Sequence, residues 1–445
     1  MKECSLIGDF KSFKKEWYIN MKTKMQLFKH TFFALSIMFC LLLGSIAIIQ
    51  TIGTLGTDSV FSVNNNQDTV TTDDSVNASD TFGQTTATDD QPLPSQVITP
   101  ASIIISAVGD LMVHQGNLDN AYIPKTGTYN FDGFLEYVKP YLMKSDLTIG
   151  NFETVTAGPI SGYTSYPSFN TPDSMLTALS GAGFDVLSTA NNHCLDRGIN
   201  GLVSTIQKIE ANKMTNVGSS VDGKNKYTTK EINGIKVSIL AYACAFNGND
   251  ARLSVNQKTK NLSPIIEAQI KSDIEAVKTK GTDAVIVIMH WGGEYQREPN
   301  ATQVSLSKKI LSWGADIILG SHPHLIQKSE ITKIDGKNKF VIYSMGNFIS
   351  GFRRSDKAKR PNKVFTEDGV IVQLKIEKDP KGGVIIKSAD YIPTWVDKSN
   401  VNNRPVFKIV PIPSANITGA YITNYNSSFI KQSYKNTMEF MASLR

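Results

Sequence analysis

From residue 102 onward the chain alternates short, unbroken apolar runs with longer stretches of helical periodicity. The runs "SIIISAVGD", "LTIGNFE", "FDVLSTANNH", "KVSILAYACAF", "DAVIVIMHWG", "ADIILGSHPH" and "KFVIYSMGNF" are dominated by apolar, often β-branched residues and read as strands. Between them, "SPIIEAQIKSDIEAVKTK" and "NATQVSLSKKILSWG" read as helices. Apolar strands that alternate with helices predict an α/β fold whose strands are buried on both faces. After about residue 365 the pattern changes. "DGVIVQLKIEK" and "GGVIIKSADYIPTWV", split by "DPKGG", predict an antiparallel pair. The last forty residues carry no clear period, and no internal repeat is visible.

The residues upstream belong to other classes. Residues 1–30 form a basic N-terminus with seven lysines against three acids. Residues 31–53 open an apolar stretch without a charge until Asp58, long enough to cross a membrane as one helix. Lysines before it, and no Lys or Arg between Lys29 and Lys125, place the N-terminus in the cytoplasm and the bulk of the chain outside. A cleaved signal peptide is the competing reading. The long basic segment and the lack of an A-x-A-like site favour an uncleaved anchor. Residues 54–100 are rich in Asp, Thr, Ser and Asn, too polar to offset the entropy of ordering, and read as a flexible stalk.

Composition narrows the partners. A formal net charge of +6 over 445 residues is modest and not gathered in one tract, which argues against nucleic acid. Cys4, Cys40, Cys194 and Cys244 lack the spacing of a zinc ribbon or a disulfide framework, although a Cys194–Cys244 bridge is conceivable outside a cell.

The chemistry lies in the polar residues that close the strands. Asp110 ends one run, Asn151 and Glu153 a second, and Asn192 and His193 a third, while His290 and the pair His322 and His324 end two more. In open α/β sheets ligands bind beyond the carboxyl ends of the strands, so five strands deliver these groups to one edge. An extended backbone through "HPH" would send both imidazoles to the same face, and Pro323 disfavours helical geometry before it. Each residue alone has an ordinary structural reading as a cap, a turn or a satisfied histidine. Together, carboxylates, amides and imidazoles without thiolates suit a divalent metal such as Mn, Zn, Fe or Mg. Six candidate ligands among these residues exceed one tetrahedral site and match two ions sharing a carboxylate.

The ordered motifs "SAVGDLM", "GNFET", "NNHCLDRGINGL", "HWGGEY", "GADIILGSHPH" and "YSMGNF" resemble the CapA-type capsule (poly-γ-glutamate) synthesis family, of the calcineurin-like metallophosphoesterase superfamily. The resemblance covers residues 102–352. It implies a layered α/β/β/α domain at 101–352, extended by a β-containing segment at 353–445. It implies Asp110, Glu153, Asn192, His290, His322 and His324 as metal ligands and His193 as general acid. Asn151, Asn347 and Arg197 would support the ligands or the substrate. His114 reads as a supporting or surface residue. Two departures stand out: Asp110 is followed by Leu111 and Met112 where Asp-x-His is usual, and "GNFE" stands where the superfamily usually has Asp.

The resemblance further implies a membrane-anchored extracellular protein that works with capsule polymer synthase subunits on an anionic polymer. Three functions follow as expectations: a metal-dependent hydrolase-like subunit, a non-catalytic polymer-binding or assembly subunit, and a general extracellular phosphodiesterase. Arg197, Arg297, Arg353 and Arg354 are candidates for holding an anionic substrate. Trp291 and Tyr295 either flank the site or fill the core.

Overall fold

Strand alternation sorts the side chains of this protein into three apolar layers. The structure, a computed structural model, describes residues 100–443 apart from 225, 359–360, 416–421 and 423–425. In chain order the first strands are β1 (Ser102–Leu111), β2 (Tyr122–Ile123), β3 (Thr128–Tyr129), β4 (Leu147–Phe152), β5 (Val186–Ser188) and β6 (Thr215–Val217). Next come β7 (Thr228–Ile232), β8 (Ile235–Ala243), β9 (Ala284–His290), β10 (Ile317–Ser321) and β11 (Ile326–Ile334). The last are β12 (Lys337–Met345), β13 (Asn347–Ile349), β14 (Asp368–Lys378), β15 (Val384–Val401) and β16 (Arg404–Pro411).

One sheet runs β16-β15-β14-β1-β4-β5-β6, with β13 beside β1. The other runs β11-β12-β10-β9-β8-β7. In the first, β1, β4, β5 and β6 are parallel, and β14, β15 and β16 extend it as an antiparallel meander. The expected antiparallel pair is β14–β15, and β14 pairs directly with β1. The expected anchor, residues 31–53, and the stalk lie outside the described residues. Among the described residues, no helix is long and apolar enough to cross a membrane.

Alternation explains why β9 is apolar throughout. Ala284, Ile286 and Ile288 join the core between the sheets with Ile103 and Ile105 of β1 and Val370 and Val372 of β14. Val285, Val287 and Met289 face the other way, onto Ile270 and Ile274 of the helix Glu267–Thr279 and Ile310 of the helix Ala301–Ser312. The outer face of the first sheet packs Val108 and Leu187 against Met175 and Leu179 of the helix Ser174–Gly181. Asn300 starts the Ala301–Ser312 helix by accepting the Gln303 N–H.

Parity continues to the strand ends. Leu147 and Ile149 face the inter-sheet core, so Asn151 and Glu153 follow on the same side, and His290 follows Ile288. Strand β1 needs a correction to that parity. Ile103, Ile105 and Ala107 face inward, which would turn Asp110 outward, but the register shifts between Val108 and Asp110. Leu111 therefore joins the outer layer and Asp110 the inner side. Bulges of this kind re-aim side chains beside functional sites.

The C-terminal residues without a readable period form β16 and the helix Ser427–Met438. That helix is fastened by buried Asp368 in β14, which accepts hydrogen bonds from Ser433 Oγ, Asn436 Nδ2 and Arg354 Nη2, each at 2.7 Å.

Candidate metal centre and active site

Every strand-end residue expected at the site is buried, and the structure brings them together. Asn151 sits at the centre. Its Nδ2 donates to Asp110 Oδ1 at 2.8 Å and Glu153 Oε2 at 3.1 Å, and lies 3.3 Å from His290 Nδ1. Asn191 Nδ2 donates to Asn151 Oδ1 at 3.3 Å and to the Phe152 carbonyl at 2.9 Å, which sets the amide's orientation. His290 is held at both nitrogens, with Ser321 Oγ 3.1 Å from Nδ1 and Asn192 Oδ1 3.0 Å from Nε2. His324 Nδ1 meets Asp110 Oδ2 at 3.0 Å.

Two groups of three residues have ligand atoms close enough to hold an ion: Glu153 with His290 and His322, and Asp110 with Glu153 and His324. Glu153 belongs to both. Its Oε1 is buried without a hydrogen-bond partner, as is His322 Nδ1. Glu153 Oε1 stands 3.8 Å from His290 Nε2 and 3.9 Å from His324 Nε2. These distances are too long for hydrogen bonds. Two atoms each about 2.1 Å from one ion lie roughly 3–3.5 Å apart, so a small inward adjustment would seat a cation. The donor set of carboxylate oxygens and imidazole nitrogens fits a divalent ion.

The electrostatics agree. Burial, followed by the charge of Asp110, pushes Glu153 well above the usual carboxylate range. Burial also raises Asp110, but the hydrogen bond and charge of His324, together with the hydrogen bonds of Asn151 and Glu153, outweigh it and leave Asp110 below its ordinary value. Burial drives His290 well below the usual imidazole range, and burial plus the charge of His324 brings His322 down to about 4. Neutral imidazole is the ligating form. A cation among these groups would supply the charge that two buried carboxylates lack.

The histidine pair reaches the site by a route other than the expected extended backbone. Strand β10 stops at Ser321, and His322 and His324 adopt φ of 96° and 57°. Left-handed backbone at non-glycine residues costs about 1–3 kcal/mol each and gathers at functional sites. The reversal returns His322, outward by parity, to the inner side, where its ring lies 4.6 Å from that of His290 and 6.0 Å from that of His324.

His193 stands beside the cluster and shares a cleft wall with Asn192. Its Nδ1 lies 2.8 Å from Asp196 Oδ2, which also accepts the Phe169 N–H at 2.7 Å. A carboxylate only accepts, so the Nδ1 proton is fixed on that side and Nε2 is left to the cleft. Asp196, three residues after His193 in "HCLD", and Ser321 at the end of β10 belong to the site beyond the residues that the strand-end pattern marks.

The remaining expected residues support rather than ligate. Asn347 Nδ2 donates to the carbonyls of His324 at 3.2 Å and Thr366 at 3.0 Å, so it holds the histidine turn. Arg197 is bonded to Thr164 and Ser168 and pins that loop. Arg297 pairs with Glu439 between Phe365 and Phe440, and Arg353 and Arg354 pair with Glu367. His114 Nδ1 accepts the Gly351 N–H at 3.1 Å, between the rings of Phe169 and Phe352. Trp291 fills core and donates to the Tyr343 carbonyl, whereas the Tyr295 ring lies 6.0 Å from that of His324. Cys194 and Cys244 are free thiols.

Comparison with known proteins gives the family of the chain. The family model described as bacterial capsule synthesis protein PGA_cap matches residues 104–352, more than half of the chain. The PGA biosynthesis protein CapA of Bacillus subtilis (strain 168) is 26% identical over 330 residues, covering 70% of this chain and 79% of that protein. The capsule biosynthesis protein CapA of Bacillus anthracis is 30% identical over 255 residues, covering 56% of this chain and 59% of that protein. Among solved structures, the calcineurin-like phosphoesterase YfkN from Bacillus subtilis aligns with a TM-score of 0.42 at 16% identity, over 77% of this chain and 99% of that one. The chain belongs to the bacterial capsule synthesis protein PGA_cap family.

Proposed function

We propose that this protein is a membrane-anchored, extracellular capsule biosynthesis protein of the CapA type with a metal-dependent hydrolase-like site. It would serve the synthesis, export or anchoring of a poly-γ-glutamate-like polymer beside the polymer synthase subunits. Anchoring rests on the apolar segment at 31–53 and its lysine-rich flank. The observation that carries the hydrolytic reading is Glu153, shared by both ligand groups with Oε1 buried and unpartnered.

In this reading Asp110, Glu153, Asn192, His290, His322 and His324 hold two divalent ions. Bound there, such ions polarise the electrophile and lower the pKa of a water. The chain's own residues do the rest. Asn151 and Asn191 orient the carboxylates, Asn347 holds the histidine turn, and His193 Nε2 passes a proton to the leaving oxygen or nitrogen as its bond breaks and water's oxygen is added.

Replacing His193 by Asn tests the assignment. Turnover of a phosphodiester or of poly-γ-glutamate falls by about 10²–10⁴-fold while metal content stays at the wild-type level. Full turnover in a metal-replete variant would remove His193 from the chemistry. One observation favours a second reading, a polymer-binding assembly subunit. An amide, Asn151, sits between Asp110 and Glu153 where the superfamily usually has a carboxylate, which lowers the site's charge. In that case the wild-type protein binds metal and polymer but turns over neither.

A further inference from the structure

Five histidines lie among the described residues, and His114 alone has no part in the chemistry above. It follows the end of β1 and starts the helix Gln115–Ala121. Its Nδ1 accepts the Gly351 N–H at 3.1 Å. A Cβ at Gly351 would stand 2.5 Å from His114 Cβ, so a side chain there would drive the imidazole out of its place. Phenyl rings connect His114 to both halves of the site. Between centroids, Phe169 lies 5.4 Å from His114 and 4.8 Å from His193. Phe352 lies 4.7 Å from His114 and 5.4 Å from His324. One ring thus separates His114 from His193, and another separates it from the candidate ligand His324.

The tautomer follows from the Gly351 bond. A backbone N–H only donates, so His114 Nδ1 presents its lone pair. Burial, then the charges of His324 and His193, brings the imidazole down to about 3. It is therefore neutral near pH 7, with its one proton on Nε2. That nitrogen is buried without a hydrogen-bond partner. A buried N–H left unpaired is costly, and such groups are rare in folded proteins. His193 has the opposite arrangement, with its Nδ1 proton turned to Asp196. Two imidazoles of opposite tautomer therefore pack on the same phenyl ring, Phe169.

We propose that His114 is a further catalytic residue of this site: its Nε2–H donates a hydrogen bond to an oxygen of the molecule bound at the cluster and stabilises the negative charge that builds there as the bond breaks. His114 keeps its proton throughout, and proton transfer stays with His193. A donor already in place where charge develops needs no reorganisation during the reaction. This rests on the hydrolytic reading of the cluster and adds a residue to it.

The test uses the full-length chain in detergent, loaded with Mn²⁺, with metal content and melting temperature measured on every sample. The probes are bis(4-nitrophenyl) phosphate for turnover and orthophosphate, a tetrahedral oxyanion, for binding by calorimetry. Two variants separate the two nitrogens of the ring. In His114→Asn the side-chain oxygen still accepts from Gly351 and the Nε2 donor is gone. In His114→Gln an amide N–H stands near the Nε2 position and the Gly351 bond is lost. At wild-type metal content, His114→Asn lowers kcat by about 10²–10³-fold and weakens orthophosphate by about 10–100-fold, and His114→Gln recovers much of both. Wild-type kcat and affinity in His114→Asn overturn the assignment. Losses in His114→Gln equal to or larger than those in His114→Asn make the role structural and overturn it too. Orthophosphate binding that depends on His114 in a wild-type chain without turnover keeps the donor and removes the hydrolytic reading. A chain that holds no metal removes both.

Discussion

Glu153→Gln removes the protein's response to divalent ions. In the wild-type chain, Mn²⁺ at a hundred times its dissociation constant raises the unfolding free energy by about 2.7 kcal/mol. The variant shows almost none of this, because Glu153 is the residue common to both ligand groups. Without metal the order reverses. Wild type buries a carboxylate whose Oε1 has no partner next to Asp110, and burial together with Asp110 pushes it well above its ordinary range. An amide of the same shape removes that electrostatic conflict, so the metal-free variant melts no lower than metal-free wild type. Turnover falls by at least about 100-fold. Thermal melts with and without Mn²⁺ read both signs. A variant that keeps the full metal-dependent rise would remove Glu153 from the ligands.

Gly109→Ala has the second large effect, through the backbone. A Cβ at Gly109 would stand 1.9 Å from the Gly346 carbonyl oxygen, and Asp110 N donates to that same oxygen at 3.0 Å. Backbone cannot swing aside as a flexible side chain can. The alanine therefore pushes β1 off β13 and separates Asp110 from its register partner Asn347. A loss of about 3 kcal/mol is expected, which lowers the melting temperature of a body this size by roughly 4 °C. Gly181→Ala is the control: its Cβ meets nothing within 4 Å in the helix Ser174–Gly181, and it melts at or slightly above wild type. Equal melting of the two variants would mean that β1 and β13 do not cross so closely.

Strand parity shows why the site is only partly legible in the sequence. Asn151, Glu153 and His290 follow the inward parity of Ile149 and Ile288, so alternation alone aims them correctly. Asp110 and His322 do not. The first is turned inward by a register shift at Gly109, and the second by a left-handed backbone that "HPH" does not announce. Their membership in the site was readable from residue type and position at strand ends, but the means of aiming them was not. The partners of the site were harder still. Asp196 is local to His193, whereas Ser321 meets His290 only because the parallel strands β9 and β10 pair across a long sequence separation. The C-terminal helix was invisible for a related reason: polar bonds from Ser433 and Asn436 to Asp368 help fasten it, so it lacks a strong apolar stripe.

The most direct test of the central claim is the metal stoichiometry of the full-length wild-type chain, by elemental analysis after Mn²⁺ loading and removal of free ion. Two ions per chain, falling sharply in Glu153→Gln, is the expected result. A wild-type chain that retains no ion under any loading condition would contradict it and leave the buried carboxylates and histidines without the cation their arrangement calls for.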